Sequence, residues 1–369
     1  MREPDGAVWM TIALRNELEW PAFSRRSLRT VGRIWAVLPR YTARGRQRRR
    51  DLMKIDIYTH WWPRKAAQAL LDKAKSGGDE ATLKYLQRRE SRSAVNDLDL
   101  RFRFMDRHPD VLHVLTISNP PVERFVGPRD AAQISAMAND ELAELVVNHP
   151  DRFVGAAAIL PMNDLELALK ECDRAIRDLG LQGVRLYSNI LGEALDSPRL
   201  KPLYAKMVEY DLPIWLHPTE PATMSVGQET LLGWEYETSK AMMTLASSWV
   251  FEEFPTLKVI THHLGSMIPF FEQRIRWLAP SRRTHANLRR FYNDTALYGS
   301  TPALMCGYAF FGADHILFGT DMPLGSMYIK NSAGFMEWTL RAVEGMDIPQ
   351  SEKEKIYLEN AVQLLNLAV

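Results

Sequence analysis

Cysteine is almost missing from this chain. Cys172 and Cys306 are the only two, and neither sits in a C-x-x-C, so no disulfide framework can form and a reducing cytoplasm fits best. Charge of one sign is lacking as well. Lysine and arginine total 46 against 45 acidic residues, a net +1, which leaves no electrostatic footprint for nucleic acid or an anionic membrane surface. No apolar run approaches the ~20 residues that span a bilayer. The turns G-x-G-x-x-G and G-x-x-x-x-G-K-[ST] do not occur, nor does the G-x-S-x-G elbow, and there is no internal repeat.

Core-forming residues are plentiful. Of 369 residues 46% are hydrophobic, enough for one barrel or two medium domains. The first 52 residues differ, with twelve arginines, a cluster at Arg46–Arg50 and no lysine. They read as an Arg-rich extension, mostly disordered and translated from an upstream start, with the domain running over 53–369; a targeting peptide is the other reading.

From Met53 on, apolar runs alternate with amphipathic stretches. Strands are expected at 54–60, 111–119, 153–160, 183–188, 213–218, 258–263, 290–296 and 315–321. Helical patterns fall at 130–148, 164–179, 196–210, 237–254, 265–278, 301–311, 334–345 and 350–367, with Gly180 a C-cap. Eight strands alternating with helices predict a (β/α)8 TIM barrel. The long, charged link 64–110 reads as a helical insertion over the barrel mouth. Cys306 lies in an apolar helical stretch and reads as core.

Polar residues fall at the ends of these strands, where barrel active sites lie. The first strand ends with Tyr58 and His60 on one side, the fifth with His217-Pro218 and the sixth with His262-His263. Asn293-Asp294 lies on the seventh, and Asp321 ends the eighth. Any one histidine after a strand is more often structural than functional. Histidine and carboxylate converging from separate strands are the ligand set of a divalent metal, with zinc suited to imidazole. Asp321 alternatively caps a turn. Strand alternation sends His262 away from His263, so His262 reads as structural or supporting.

Ile55-Asp56-x-x-Thr59-His60-x-x-Pro63, Arg152-Phe153-Val154-Gly155, Leu160-Pro161-Met162, Leu216-His217-Pro218, His263-Leu264-Gly265-x-x-x-Pro269, Phe291-Tyr292-x-Asp294 and Gly319-Thr320-Asp321-x-Pro323 together resemble the amidohydrolase superfamily. The pattern looks most like the aminocarboxymuconate-semialdehyde decarboxylase branch. That resemblance implies one divalent metal, zinc first and manganese second, held by His60, His217 and Asp321. It implies catalytic roles for His263 and Asp321. The position of Tyr58 is usually a histidine in the family, sometimes a glutamate. Tyr58 can ligate as a phenolate, hydrogen-bond as a neutral phenol, or simply fill space; its reference pKa near ~10 works against the first.

The function so implied is non-oxidative decarboxylation of a small cyclic or unsaturated carboxylic acid. The alternative is hydrolysis of an amide or lactone by a metal-bound water, and a catalytically dead binding barrel is a third class. Candidates for substrate contact are Trp61 and Trp62, which can stack a planar ring or merely pack, Arg185, which can clamp a carboxylate or form a wall salt bridge, and Asn119. Branch members are often homodimers, and Ala241–Leu245 can face a partner or the barrel.

Overall fold

Every residue of strand β1 (Lys54–Trp61) after Lys54 is buried. β-branched and aromatic residues favour the extended backbone, and burial on both faces is the mark of a parallel sheet covered by helices. The structure is a computed structural model that describes residues 53–90, 95–117, 120–219, 232–279, 281–324 and 334–367. The arginine-rich first 52 residues and Asn119 lie outside the described residues.

β1 pairs in parallel with β2 (Val111–Ile117), and β2 with β3 (Phe153–Ala156). A second parallel sheet runs in the order β4 (Val184–Tyr187), β5 (Ile214–His217), β6 (Val259–Thr261) and β7 (Tyr292–Asn293). Further backbone hydrogen bonds link the two. Arg185 donates to the Ala158 carbonyl at 2.7 Å, and Leu317 donates to Asn293 at 2.8 Å. Ile57 donates to Phe318 at 2.9 Å, and Asp321 donates to Tyr58 at 3.1 Å. Helices alternate with the strands, among them Pro128–Asn148, Lys201–Tyr210, Trp234–Ser247 and Thr301–Phe311.

Several boundaries differ from expectation. The sixth strand stops at Thr261, before both histidines. The eighth expected strand forms only a bridge at Ile316 and then an irregular run to Asp321, which has a φ of 62°. The link after β1 carries three helices, Arg64–Ser76, Glu80–Glu90 and Leu98–Met105. Cys306 is exposed, not core, because it falls on the outer side of Thr301–Phe311 while Leu304, Gly307 and Phe310 turn inward. Ala241, Met242 and Leu245 are buried against the body of the protein.

A small buried cluster takes Ile55 and Ile57 from β1, Val114, Val154, Trp215, Ile260 and Leu317 from other strand segments, and Leu364 from the last helix. Trp215 anchors it by donating its indole N–H to the Ile57 carbonyl at 3.1 Å. Beside this cluster the buried Asp56 carboxylate accepts from the amides of Tyr58 (3.2 Å) and Thr320 (3.1 Å) and from the Thr320 hydroxyl. Burial raises Asp56 from 3.8 to about 7 even with these donors. The folded chain therefore keeps a proton there that the unfolded chain gives up, and this group subtracts stability as pH climbs from 3.8 through about 7. Asp56→Asn should flatten that slope at a cost below about 1 kcal/mol, whereas Asp56→Ala should cost about 2–3 kcal/mol by stranding its donors. Thermal melts from pH 4 to 8 check both.

Candidate active site

Tyr58 and His60 share one side of β1, as their two-residue spacing requires. His60 directs Nδ1 toward Thr116 Oγ1 at 3.2 Å and Nε2 toward Asp321 Oδ1 at 2.9 Å. Arg101, fully buried, donates to the His60 carbonyl at 2.7 Å and steadies its backbone. Tyr58 instead donates its hydroxyl to the Leu216 carbonyl at 3.3 Å. Burial pushes its phenol above the ordinary range, so it is neutral. Its ring lies flat on His262, with centroids 3.9 Å apart and planes at 12°.

His217 closes β5. Its Nδ1–H donates to the Pro218 carbonyl at 2.7 Å, which leaves the lone pair on Nε2. His262 does the same with a carboxylate, donating from Nδ1 to Asp294. Its Nε2 lies 3.4 Å from Asp321 Oδ1. The expectation that His262 turns away from the site is therefore wrong. Alternation ends with the strand at Thr261, and His263 (φ 57°) and Leu264 (φ 51°) enter the left-handed region, so the two imidazoles stack at 3.8 Å. This turn is keyed into helix Thr301–Phe311: a Cβ on Gly307 would stand 2.2 Å from Leu264 Cδ2.

Burial strips charge from His60, which falls to about 4 despite Asp321 beside it. Burial, helped by Arg185, also holds His217 well below its usual value. His262 goes the other way. Burial opposes its charge, but Asp294 and Asp321 outweigh it and lift the ring to about 10. Asp321 is held well below the usual carboxylate range, against burial, by the close approach and charge of His262 and His60.

The donor atoms of His60, His217 and His262 lie within 4.8 Å of one another, and so do those of His262, His263 and Asp321. These residues fit a divalent cation on their own chemistry. The His60 and His262 Nε2 atoms and Asp321 Oδ1 are buried, and none has an aligned hydrogen-bond partner among the described residues. Imidazole nitrogen with one carboxylate oxygen suits zinc and its neighbours.

Around this cluster stand three further features. His263 Nδ1 lies 2.9 Å from Glu235 Oε1, a contact close enough for an ion pair although not aligned as a hydrogen bond. Burial would raise Glu235, but the His263 charge outweighs it and lowers the carboxyl. Arg185 is buried on β4, stacked over the Tyr187 ring at 4.4 Å and donating to its hydroxyl at 3.0 Å. Its Nε and second amino nitrogen have no aligned partner, and among the described residues it makes no salt bridge. It faces a recess lined by Ile117, Glu123, Leu160, Met162 and Tyr187. Trp61 and Trp62 belong to the same buried cluster as Ala66 and Leu70.

His60, His217, His263 and Asp321 are thus brought together. Glu235 escaped the sequence reading because nothing in Gly233-Trp234-Glu235 marks it as the partner of a histidine on another element. The adjacent pair His262-His263 was the available signal for His262.

The Amidohydrolase family model matches residues 55–367. A gamma-resorcylate decarboxylase from Polaromonas sp. is 32% identical over 308 residues, which are 75% of this chain and 90% of that protein. A 2-amino-3-carboxymuconate-6-semialdehyde decarboxylase from Dictyostelium discoideum is 32% identical over 197 residues, 51% of this chain and 53% of that one. The crystal structure of a dihydroxybenzoic acid decarboxylase from Polaromonas sp., with bound manganese and the inhibitor 2-nitroresorcinol, superposes with a TM-score of 0.68 at 25% identity, covering 85% of this chain and 97% of that one. With histidines and Asp321 gathered at the ends of parallel strands and the match running through all of them, this chain belongs to the amidohydrolase family, in its aminocarboxymuconate-semialdehyde decarboxylase-like branch.

Proposed function

We propose that this protein is a metal-dependent non-oxidative decarboxylase of a small aromatic carboxylic acid. Its domain runs over 53–369. Its eight strand segments close as a (β/α)8 barrel, and the helices within 64–105 form an insertion beside the mouth. The hydrogen bonds that join β3 to β4, and the last strand segment to both β7 and β1, support closure.

The observation that carries decarboxylation over hydrolysis is Arg185. It makes no salt bridge among the described residues, and the carboxyl lining its recess, Glu123, is pushed up to about 7 by burial and answers it only in part. A desolvated guanidinium is costly, and an incoming carboxylate offsets that cost by matching two oxygens to its fork. Arg185 lies close enough to His217 and His60 to depress both. The recess it faces is lined mainly by apolar side chains. Trp61, Trp62 and Asn119 remain proposals for substrate contact, and the burial of both indoles speaks for packing.

His60, His217 and Asp321 would hold a divalent cation, zinc by preference and manganese as the alternative, which supplies Lewis-acid charge for the developing negative charge on the substrate. His263 delivers a proton to the ring carbon that bears the carboxylate. Glu235, at 2.9 Å, steadies the imidazolium before that transfer. The carbon–carbon bond then breaks, CO2 leaves with its electrons returned to the ring, and His263 regains a proton from solvent.

Assays of CO2 release against hydroxylated benzoates should find a substrate, and the purified chain should bind about one divalent ion. Turnover of amides or lactones without CO2 release would overturn the reading. His263→Ala should lower kcat by ~10²–10⁴ while metal content stays. Arg185→Met should raise KM by ~10–100-fold, the loss expected for charge-assisted hydrogen bonds. Homodimerisation is part of the proposal: Phe270 and Trp277 are 78% and 82% exposed, and sedimentation should show a species near twice the chain mass.

A further inference from the structure

Among the described residues, His262 is the one shared by both groups of converging donors. It sits with His60 and His217 in one and with His263 and Asp321 in the other. Its Nε2 is buried and has no aligned hydrogen-bond partner. Two nitrogens, from His60 and His262, approach the same Asp321 oxygen at 2.9 and 3.4 Å without either aligning on it as a donor. A hydrogen-bonded chain would align at least one of them. Atoms arranged around a common point need not, because each faces the point rather than its neighbour.

The local supports fit that arrangement. Asp294 accepts from Nδ1 of His262 and so assigns Nε2 as the free donor atom. This carboxylate–histidine pairing is the usual way a metal-binding imidazole is oriented and made more basic. Asp294 itself is fixed, since its Oδ1 accepts from the Ala296 amide at 3.0 Å. Tyr58 fixes the ring plane from the other side by stacking on it at 3.9 Å. By spending its hydroxyl on the Leu216 carbonyl, Tyr58 leaves β1 with a single donor, His60.

We propose that His262 is a metal ligand in this protein, joining His60, His217 and Asp321, and that Tyr58 is the platform that positions it rather than a ligand. The proposal rests on the metal-dependent reading above. It makes the metal's protein shell three imidazoles and one carboxylate, with His263 left outside as the proton carrier.

The test uses the full chain, stripped with a chelator and reloaded with Zn2+ or Mn2+ alone. X-ray absorption on the zinc-loaded wild type should count three imidazoles per metal. Competition against a chromophoric chelator should show His262→Ala weaker by at least ~100-fold, more than the usual loss of a supporting partner. Tyr58→Phe, which keeps the stacking ring, should bind within ~3-fold of wild type. Should His262→Ala fail to fold, His262→Gln keeps an amide opposite Asp294 and serves for the same titration. Two imidazoles in the wild-type spectrum, or wild-type affinity in the His262 variants, would overturn the proposal while leaving the metalloenzyme reading intact. A wild-type chain that takes up neither metal would overturn both.

Discussion

Asp56 holds the first strand against the segment that ends at Asp321, and the site depends on that tie. Its carboxylate gathers two amides and one hydroxyl, two of the three from Thr320, the residue immediately before Asp321. Backbone bonds from Ile57 to Phe318 and from Asp321 to Tyr58 run along the same seam. Residues from opposite ends of the domain are thereby fixed within a hydrogen-bond length, at His60 Nε2 and Asp321 Oδ1. Satisfied buried networks of this kind cost desolvation and return positional definition. A metal site, which tolerates little error in ligand spacing, is where that exchange is useful.

Charge in the site is divided in two. On one side, two carboxyl groups, Asp294 and Asp321, face the single imidazole of His262, so acid outnumbers base in that group. On the other, Arg185 donates to the Tyr187 hydroxyl, lies over its ring and shares its recess with the buried carboxyl of Glu123. Low dielectric sharpens both conditions, since each interaction is stronger than it would be in water. The acidic side suits a cation, while the basic side suits an anion in the recess. In the proposed reaction a carboxylate entering there would meet Arg185 near the histidines that Arg185 depresses, and the bond to be broken would lie toward His263.

Much of this was legible in the sequence because strand ends are marked by local chemistry. His60, His217 and Asp321 each follow a short apolar run and precede a proline or a turn, and each lies in the cluster. Where the reading depended on a regular backbone it failed. His262 was sent to the wrong side because the strand was carried two residues too far, and no alternation rule survives two left-handed residues in a row. The last strand was overextended for a related reason, since Asp321 itself has a positive φ. Tyr58 was ambiguous in principle. Its role is set by the Leu216 carbonyl and the His262 ring, both supplied by other strands. Cys306 looked apolar by its neighbours in sequence, but helix phase turned it outward.

The turn after β6 carries one more implication. Leu264 rests on Gly307, and Gly265 presses on Phe311, where a Cβ would come within 2.7 Å of the ring. The orientation of the two histidines is therefore guaranteed by a helix whose residues touch neither metal nor substrate. In a scan for lost activity, Gly307 would score with the reacting groups, because any side chain there displaces Leu264 and swings both imidazoles. A map of sensitive positions in this protein would thus trace the scaffold of the turn as well as the chemistry, and reading such a map as a list of catalytic residues would misplace the boundary of the site.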